Sequence, residues 1–383
     1  MTHTATDSAS GVRPAARVSA DAFQPPLRAG LKAIKLGILE TAERIGLYRY
    51  VRDSRWRSRR LLILGYHGIS ASDEHEWSPE LYLPVDALRR RFELLRGDGF
   101  HVLPLAAAVE RLKAGTLPAR SISLTFDDGT QDFLDAGVPL LREFGFPATV
   151  YPTTYYAARQ VPVFRTSCRY LLWIGRSQTI SGEGLTAAGD PLTLATLDQR
   201  DAAVQAMEEH LAAHEGGVEQ QVATLRVLAE RVGADFDRFL AERRQRIMTP
   251  EDIGSLPRDL VDVQLHTHRH RVPLSKESFV REIVDNRAAL SAWRPGEPFD
   301  AFCYPSGVTD ERFLPWLRDL GIRTAVTCEP GLASRATDPL LLPRLVDSWR
   351  LTRLEFEAWL TGVGSFLPRV PRRGRYRPAP VYD

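Results

Sequence analysis

The sequence has few cysteines, no long apolar run and almost no net charge. Its three cysteines, Cys168, Cys303 and Cys328, are odd in number and form no C-x-x-C pair, so a disulfide framework is not predicted. The absence of any run of about 18 apolar residues excludes a conventional membrane-spanning helix. A net charge of +2 excludes binding by bulk attraction to a polyanion, so no nucleic-acid partner is expected.

The amino-terminal segment also lacks a recognisable structural signal. Residues 1–25 are rich in Ser, Thr, Ala and Pro and contain no apolar stretch typical of a signal peptide. We therefore expect residues 1–27 to be disordered and the protein to be cytoplasmic, with reduced thiols. The remaining composition, 44% hydrophobic and 26% charged, is that of an ordinary globular protein, and it does not indicate an oligomeric state.

Positive charge is concentrated near both ends of the chain. The two clusters contain Arg52, Arg55, Arg57, Arg59 and Arg60, and Arg369, Arg372, Arg373, Arg375 and Arg377. Before the first cluster, Leu31, Ile34, Ile38, Ala42 and Ile45 recur at helical spacing, although Gly37 and Gly46 interrupt the segment. Residues 1–58 thus predict a disordered stretch and an amphipathic basic helix. The helix either contacts a membrane peripherally through residues 31–60, at the inner membrane surface, or packs on the protein's own surface.

Residues 59–350 alternate between strand-like and helix-like segments, which predicts an α/β domain with a parallel sheet. The predicted strands are 61–67, 100–103, 122–128, 148–151, 261–265, 299–304 and 324–327. The predicted helices are 84–96, 105–114, 137–144, 276–293 and 309–320. Between residues 155 and 249 the alternation stops, and helix-like segments over 196–213 and 218–246 predict a helical insertion. Residues 351–383 are predicted to form a carboxyl-terminal extension with a Pro/Arg-rich tail.

Two motifs that follow predicted strands carry metal-ligating side chains. The first is Ser123–Gly129, with adjacent acids at Asp127 and Asp128, and the second is His266–His270, with three histidines. The carboxyl ends of strands in open sheets and barrels meet on one face, so these side chains are expected to lie close together. An aspartate and two histidines suit a divalent metal, and the second aspartate remains available as a base. Together the motifs predict a hydrolase.

The spacing leaves the geometry within each motif open. On extended backbone Asp127 and Asp128 point apart, so one can bind the metal while the other faces its water. The same Asp-Asp-Gly string is also common in turns. A helical turn would place His266 and His270 on one face, whereas an extended segment would make His268 a third candidate ligand.

The chain resembles the polysaccharide deacetylase family, carbohydrate esterase family 4, in several successive motifs. These are Thr125–Gly129, His266–His270 and Phe302–Gly307, with a weaker match at Leu64–His67, and together they span roughly residues 60–350. The resemblance implies a distorted (β/α) barrel with a helical insertion. It also implies hydrolysis of N-acetyl groups on an N-acetylhexosamine-containing glycan or its precursor.

The same resemblance implies roles for particular residues. Asp127 would be the general base, and Asp128, His266 and His270 would hold a divalent metal, expected to be zinc, with cobalt, nickel and manganese as alternatives. The backbone N–H of Ser306 would stabilise the oxyanion. The further candidates for substrate binding are Tyr304, Pro305, Gly307 and Arg344.

The sequence departs from the family pattern at two positions, that of the residue that orients the base and that of the general acid. The third motif often carries an arginine that orients the base, but this chain has Cys303 there, so Arg344 and Asp347 are candidates to replace the orienting pair. No histidine follows His270, so the late histidine that serves as general acid is missing. His67 is the candidate acid, and a structural histidine bonded to backbone is the alternative interpretation.

Two other functions remain open. The missing late histidine is consistent with a carbohydrate-binding relative that has impaired catalysis. A two-histidine, one-carboxylate set also holds iron in some oxygenases. In those enzymes the carboxylate usually follows the first histidine closely, whereas here Asp128 precedes His266 by 138 residues.

Overall fold

The computed structural model describes residues 25–213, 217–242 and 246–367. Its strands are β1 (Leu61–Tyr66), β2 (Gly68–Ser70), β3 (Tyr82–Pro84), β4 (His101–Val102), β5 (Ser121–Asp128), β6 (Ala148–Pro152), β7 (Thr179–Ile180), β8 (Leu192–Thr193), β9 (Val261–Val263), β10 (Ala301–Cys303), β11 (Thr324–Val326), β12 (Leu332–Ala333) and β13 (Leu345–Val346).

Helices cover most of the remaining described residues. They are α1 (Pro25–Arg44), α2 (Leu47–Arg52), α3 (Arg55–Ser58), α4 (Glu74–Trp77), α5 (Val85–Gly97), α6 (Leu105–Ala114), α7 (Val138–Phe144), α8 (Thr154–Arg159), α9 (Phe164–Ile174), α10 (Leu197–Ala213), α11 (Val218–Val232), α12 (Phe236–Glu242), α13 (Pro250–Ser255), α14 (Lys276–Trp293), α15 (Phe313–Asp319) and α16 (Arg353–Thr361). A π-helical turn spans Phe133–Gly137, and 3₁₀ turns span Pro305–Gly307 and Val363–Phe366.

A largely parallel sheet forms the centre of the fold. Its main order is β12, β1, β5, β6, β9, with β13 also beside β1 and β4 beside β5, and the β1–β12 pair is antiparallel. Strand β1 is buried along its whole length, and β5 is buried as far as Asp127. Such continuous burial explains why the sequence here is an unbroken apolar run, as in strands covered on both faces. The predicted α/β fold with a parallel sheet is confirmed.

Within the described residues the sheet does not close into a continuous barrel. Strands β10 and β11 form a separate parallel pair. Single parallel bridges connect this pair to its surroundings, Leu265 with Phe302 on one side and Val326 with Leu342 on the other. Closure therefore rests on isolated bridges, and the distorted barrel stays a prediction.

The region between residues 155 and 249 contains helices α9 to α12 and the short antiparallel pair β7–β8. It has a hydrophobic cluster of its own, which includes Cys168, Leu171 and Leu228. The helix predicted over 218–246 is in fact two helices, because Gly233 adopts a left-handed φ of +72° after Val232 and ends α11. The boundaries of the predicted domains stay predictions.

Helix α1 packs on the protein, but through fewer of its apolar residues than the periodicity predicts. It continues through Gly37 and ends before Gly46, whose φ is +79°. Leu39 and Ala42 are buried in a small cluster with Ala358 of α16. The other predicted positions, Leu31, Ile34, Ile38 and Ile45, are exposed.

Two predictions concern residues that lie mostly outside the described ranges. Of the expected disordered stretch 1–27, residues 25–27 belong to α1 and the rest lie outside the described residues, as does the Pro/Arg-rich tail after Leu367. None of the helices in the described ranges is long and apolar enough to span a bilayer.

Candidate active site

The two predicted acids lie at the carboxyl end of β5. Asp127 is buried, and the chain turns immediately after it because Asp128 has a φ of +66° and Gly129 a φ of +75°. A Cβ on Gly129 would lie 2.6 Å from the Cβ of Pro152 in the neighbouring strand β6. Glycine is therefore required here both for its φ and for space. This turn directs the two carboxylates into different surroundings.

The histidine loop that follows β9 is neither helical nor extended. Thr267 and His270 have φ angles of +65° and +54°, which curl the loop. The ring Nδ1 of His266 lies 2.9 Å from the carbonyl oxygen of Cys303, which leaves Nε2 for another partner. His268 is turned away, with its Nδ1 2.8 Å from the hydroxyl of Thr154. Of the two geometries considered for this loop, neither is adopted, and His268 does not join the acids.

The structure brings Asp128, His266 and His270 together. The Oδ1 atom of Asp128 lies 3.3 Å from Nε2 of His266 and 3.3 Å from Nε2 of His270. Both Asp128 Oδ1 and His266 Nε2 are buried without a hydrogen-bond partner. Buried polar atoms without partners are rare, and here they face each other. One carboxylate and two imidazoles with converging free atoms fit a catalytic metal site.

Two of the three donors are already deprotonated near pH 7. Burial would lower the pKa of His266, but the neighbouring Asp128 and Asp127 outweigh burial and raise that pKa, so His266 has a proton to lose when a metal binds. Burial lowers the pKa of His270 to about 4, so this imidazole is neutral near pH 7. Burial would raise the pKa of the Asp128 carboxyl, but the imidazoles of His270 and His266 outweigh burial and hold it below its usual range. Metal ligands must be deprotonated, and these two side chains need no proton removed.

A second cluster, Asp127 with His266 and Cys303, has ligand atoms within the same reach. Burial raises the pKa of the Cys303 thiol well above its usual value. A protonated thiol is a poor metal ligand, so this cluster suits a metal less well than the one at Asp128.

Asp127 is held by Arg344. The two guanidinium nitrogens Nη1 and Nη2 donate to Oδ1 and Oδ2 of Asp127, each at 2.6 Å, and Arg344 is fully buried. Arg344 also donates to the hydroxyl of Thr125 and the carbonyl of Thr327. Burial would raise the pKa of Asp127, but the charge of Arg344 outweighs burial and lowers it to about 2. A bidentate pair of this kind fixes both the charge and the orientation of the carboxylate.

Asp347, the second residue of the predicted orienting pair, lies elsewhere. Its carboxylate accepts a hydrogen bond from Arg91 at 3.1 Å, and its backbone N–H donates to the carbonyl of Gly65 at 2.8 Å. Gly65 in turn leaves room for Arg344, because a Cβ there would lie 2.9 Å from the arginine Nε. Asp347 therefore supports the strand next to Arg344 rather than pairing with that arginine.

His67, at the end of β1, lies beside Asp127. Its Nε2 is 3.5 Å from Oδ2 of Asp127, and its side chain is 17% exposed against 2% for the aspartate. His67 is thus the more accessible of the two groups. The alternative of a histidine bonded to backbone finds no support, because Nδ1 is buried without a hydrogen-bond partner.

Several of the predicted substrate-binding side chains are inaccessible. Tyr304 and Pro305 are buried, and the Tyr304 hydroxyl donates to the carbonyl of Leu340, so these side chains contribute to the core instead. Arg344 is likewise buried against Asp127. Ser306 is exposed at the turn and has a φ of +55°. Gly307 leaves no space for a side chain, because its Cβ would lie 2.7 Å from that of Cys328.

A network that motif reasoning missed supports the histidine loop. The side-chain oxygen of Asn286 accepts the backbone N–H of His266 at 2.9 Å, and its amide donates to Thr154 at 2.9 Å. Glu282, one turn earlier on α14, accepts from Arg269 and Arg271. The signal was present in the sequence, because these polar residues occupy the buried stripe of α14 among apolar residues.

Comparison with known proteins gives a consistent result. The family model for polysaccharide deacetylase matches residues 114–210. A poly-beta-1,6-N-acetyl-D-glucosamine N-deacetylase of Escherichia coli K12 is 31% identical over 103 residues, which cover 26% of this chain. That alignment spans 15% of the relative's own length.

Two solved structures share the fold. The Streptococcus pyogenes deacetylase PplD, in complex with acetate, has a TM-score of 0.50 at 18% identity, covering 81% of this chain and 99% of that chain. A de-N-acetylase from Aggregatibacter actinomycetemcomitans has a TM-score of 0.50 at 14% identity, covering 78% and 99%. The resemblance predicted from the motifs is confirmed.

Proposed function

We propose that this chain, which resembles the polysaccharide deacetylases in its motifs and fold, is a metal-dependent hydrolase that removes N-acetyl groups from an N-acetylhexosamine-containing glycan or its precursor. One observation carries the proposal most directly. The tandem acids after β5 and the histidines after β9 meet at one edge of the sheet, with unpartnered Asp128 and His266 atoms facing each other.

In this proposal Asp128, His266 and His270 hold the metal. A bound divalent ion supplies positive charge that lowers the pKa of a water molecule and polarises the acetyl carbonyl. Zinc is the proposed ion because imidazole and carboxylate ligands suit it, and cobalt, nickel and manganese are alternatives. The contact of His266 Nδ1 with the Cys303 carbonyl keeps Nε2 in the ligating position.

The proton transfers are assigned to Asp127 and His67. As water oxygen attacks the acetyl carbonyl carbon, Asp127 accepts one water proton. When the carbon–nitrogen bond breaks, His67 donates a proton to the leaving amine nitrogen, so the products are acetic acid and an amine, which exchange a proton to become acetate and an ammonium group. The separation of 3.5 Å between His67 Nε2 and Asp127 Oδ2 lets the proton on Asp127 return to His67.

Two further residues assist without exchanging protons. Arg344 is a positioning residue, because its two hydrogen bonds hold Asp127 ionised and in one orientation. The backbone N–H of Ser306 is the proposed donor to the oxyanion, and a donor of this kind is typically worth about 3 kcal/mol of transition-state stabilisation.

The substrate class follows from the family resemblance and from the relative. The matched Escherichia coli protein is named for poly-beta-1,6-N-acetyl-D-glucosamine. We propose an N-acetylated hexosamine for this chain too, and a distorted barrel as the frame for its site. The cytoplasmic location stays a prediction.

Acetate release from N-acetylglucosamine oligomers, including β-1,6-linked ones, tests the proposal. The metal-loaded wild-type chain should release acetate, Asp127→Asn should lose nearly all activity while still binding metal, and His266→Ala should lose both. His101→Ala is the matched control, because the His101 side chain is exposed and its ring hydrogen-bonds the Ala119 carbonyl rather than any residue of the site. Oligosaccharide binding without any acetate release would instead support the catalytically impaired relative, and wild-type activity in Asp127→Asn would refute the base.

A further inference from the structure

The exposed apolar surface of this protein is concentrated on the helices at the two ends of the chain. Leu31, Ile34 and Ile38 follow one another along a single stripe of α1 and are 56%, 63% and 55% exposed. The buried apolar contacts of α1 are made by Leu39, beside this stripe, and by Ala42, one turn after Ile38. Leu31, Ile34 and Ile38 themselves are therefore left uncovered by the rest of the described protein.

Other exposed apolar side chains belong to the same region. Ile45 lies just past α1, Tyr50 lies in α2 and is 77% exposed, and Phe366 is 65% exposed and contacts the Trp56 ring at a tilt. We call residues 25–60 and 353–366 the terminal lobe, which contains the helices α1, α2, α3 and α16, the connecting residue Ile45 and the turn Val363–Phe366. It holds seven of the eleven large hydrophobic residues that are exposed among the described residues, and so the distribution is not random.

The terminal lobe also has an excess of positive over negative charge. Residues 25–60 contain ten Lys or Arg and three Asp or Glu, a net charge of +7. The chain leaves the described structure at Leu367, which packs against the same small cluster as Leu39 and Ala42. The residues after it, 368–383, contain five arginines and one acid, a net charge of +4. Since the whole chain has +2, the remaining residues carry −9.

We infer that the terminal lobe is a docking surface for an anionic lipid bilayer. An exposed apolar stripe on a basic helix lies in the interface of a membrane, and basic residues beside it add electrostatic attraction to anionic headgroups. Two copies of the lobe would bring like charges together, so the charge favours lipid over self-association. This inference is independent of the proposed deacetylase activity.

Vesicle co-sedimentation of the full chain tests this surface. The protein should bind vesicles of phosphatidylcholine with about 30% phosphatidylserine, bind phosphatidylcholine alone at least about tenfold more weakly, and dissociate as salt is added. The triple variant Leu31→Ser/Ile34→Ser/Ile38→Ser should bind at least about tenfold more weakly. So should Arg49→Ser/Arg55→Ser/Arg59→Ser, which removes three exposed arginines of the lobe and leaves the stripe intact.

Val284→Ser is the matched control, because Val284 is 45% exposed on α14, outside the terminal lobe. It should bind like the wild type, and thermal unfolding should show that all variants are folded. Failure of the wild type to bind anionic vesicles would overturn the inference, as would equal binding by the stripe variant. Self-association in solution that the stripe variant abolishes would assign the surface to a second copy and also overturn it.

Discussion

Replacing Arg344 by methionine should destabilise the folded protein, because the buried carboxylate of Asp127 then has no partner. The wild-type pKa of Asp127 is lowered from 3.8 to about 2, which corresponds to roughly 2.5 kcal/mol of stabilisation of the carboxylate at neutral pH. Removing one member of a buried ion pair typically costs about 3–5 kcal/mol, because the remaining charge has no partner. We therefore expect metal-free Arg344→Met to lose about 3–5 kcal/mol of unfolding free energy at pH 7.

The stability loss should depend on pH and should be reversed by a second substitution. Without Arg344, burial should raise the pKa of Asp127 above 3.8, so the loss should be largest above that raised pKa and shrink as pH falls and the acid becomes neutral. Arg344→Met/Asp127→Asn removes both charges and should recover most of the stability. Activity should remain lost, because the base is absent.

Urea unfolding of the wild type, both single variants and the double variant, at pH 5 and pH 7.5, measures the cycle. Arg294→Met is the control, since Arg294 is also fully buried and forms a bidentate pair, with Glu297. It should lose comparable stability that Asp127→Asn does not restore. If the double variant lost as much unfolding free energy as the two single variants together, the energetic coupling between Arg344 and Asp127 would be refuted.

Three further changes test other parts of the account. Asn286→Ala should weaken zinc binding by about 10- to 100-fold, measured by competition with a chelator, because the His266 backbone and Thr154 lose their common partner; unchanged affinity would contradict this. Gly129→Ala should lower the melting temperature and the activity, because φ is +75° and the new Cβ meets Pro152, whereas Gly145→Ala, with a φ of +66° but open space, should lose less. Burial raises the pKa of Asp347 from 3.8 to about 6, so its contribution to stability should fall as pH rises from about 4 to 6. Between these pH values Asp347→Asn should remove a fall of roughly 3 kcal/mol in the unfolding free energy, measured by urea unfolding. An unchanged pH dependence would show that the carboxyl is not buried in solution.

The sequence was sufficient for the features that depend on local pattern. The apolar run of β1 and the run ending at Asp127 predicted buried parallel strands, and the helix at 276–293 was correctly bounded because Ser275 caps its first turn. The meeting of Asp128 with His266 followed from a general property of parallel sheets, that strand ends share an edge.

What could not be predicted depends on distant contacts. Arg344 was named as a candidate to orient the base, but no local pattern predicts its bidentate contact with Asp127 across 217 residues. The left-handed φ angles of Thr267 and His270 are not signalled by the sequence, since they are uncommon outside glycine and strongly disfavoured for the β-branched Thr267. The exposure of Ile34 and Ile38 could not be predicted either, because helical spacing shows that a stripe is apolar but not what covers it.

Anomalous diffraction from zinc-soaked crystals is the most direct test of the central claim. The account predicts one strong peak within coordination distance of the Asp128 carboxylate and the Nε2 atoms of His266 and His270. The account would be contradicted if crystals that bind zinc at other sites showed no peak at Asp128. It would also be contradicted by a peak bound instead by Asp127 and Cys303.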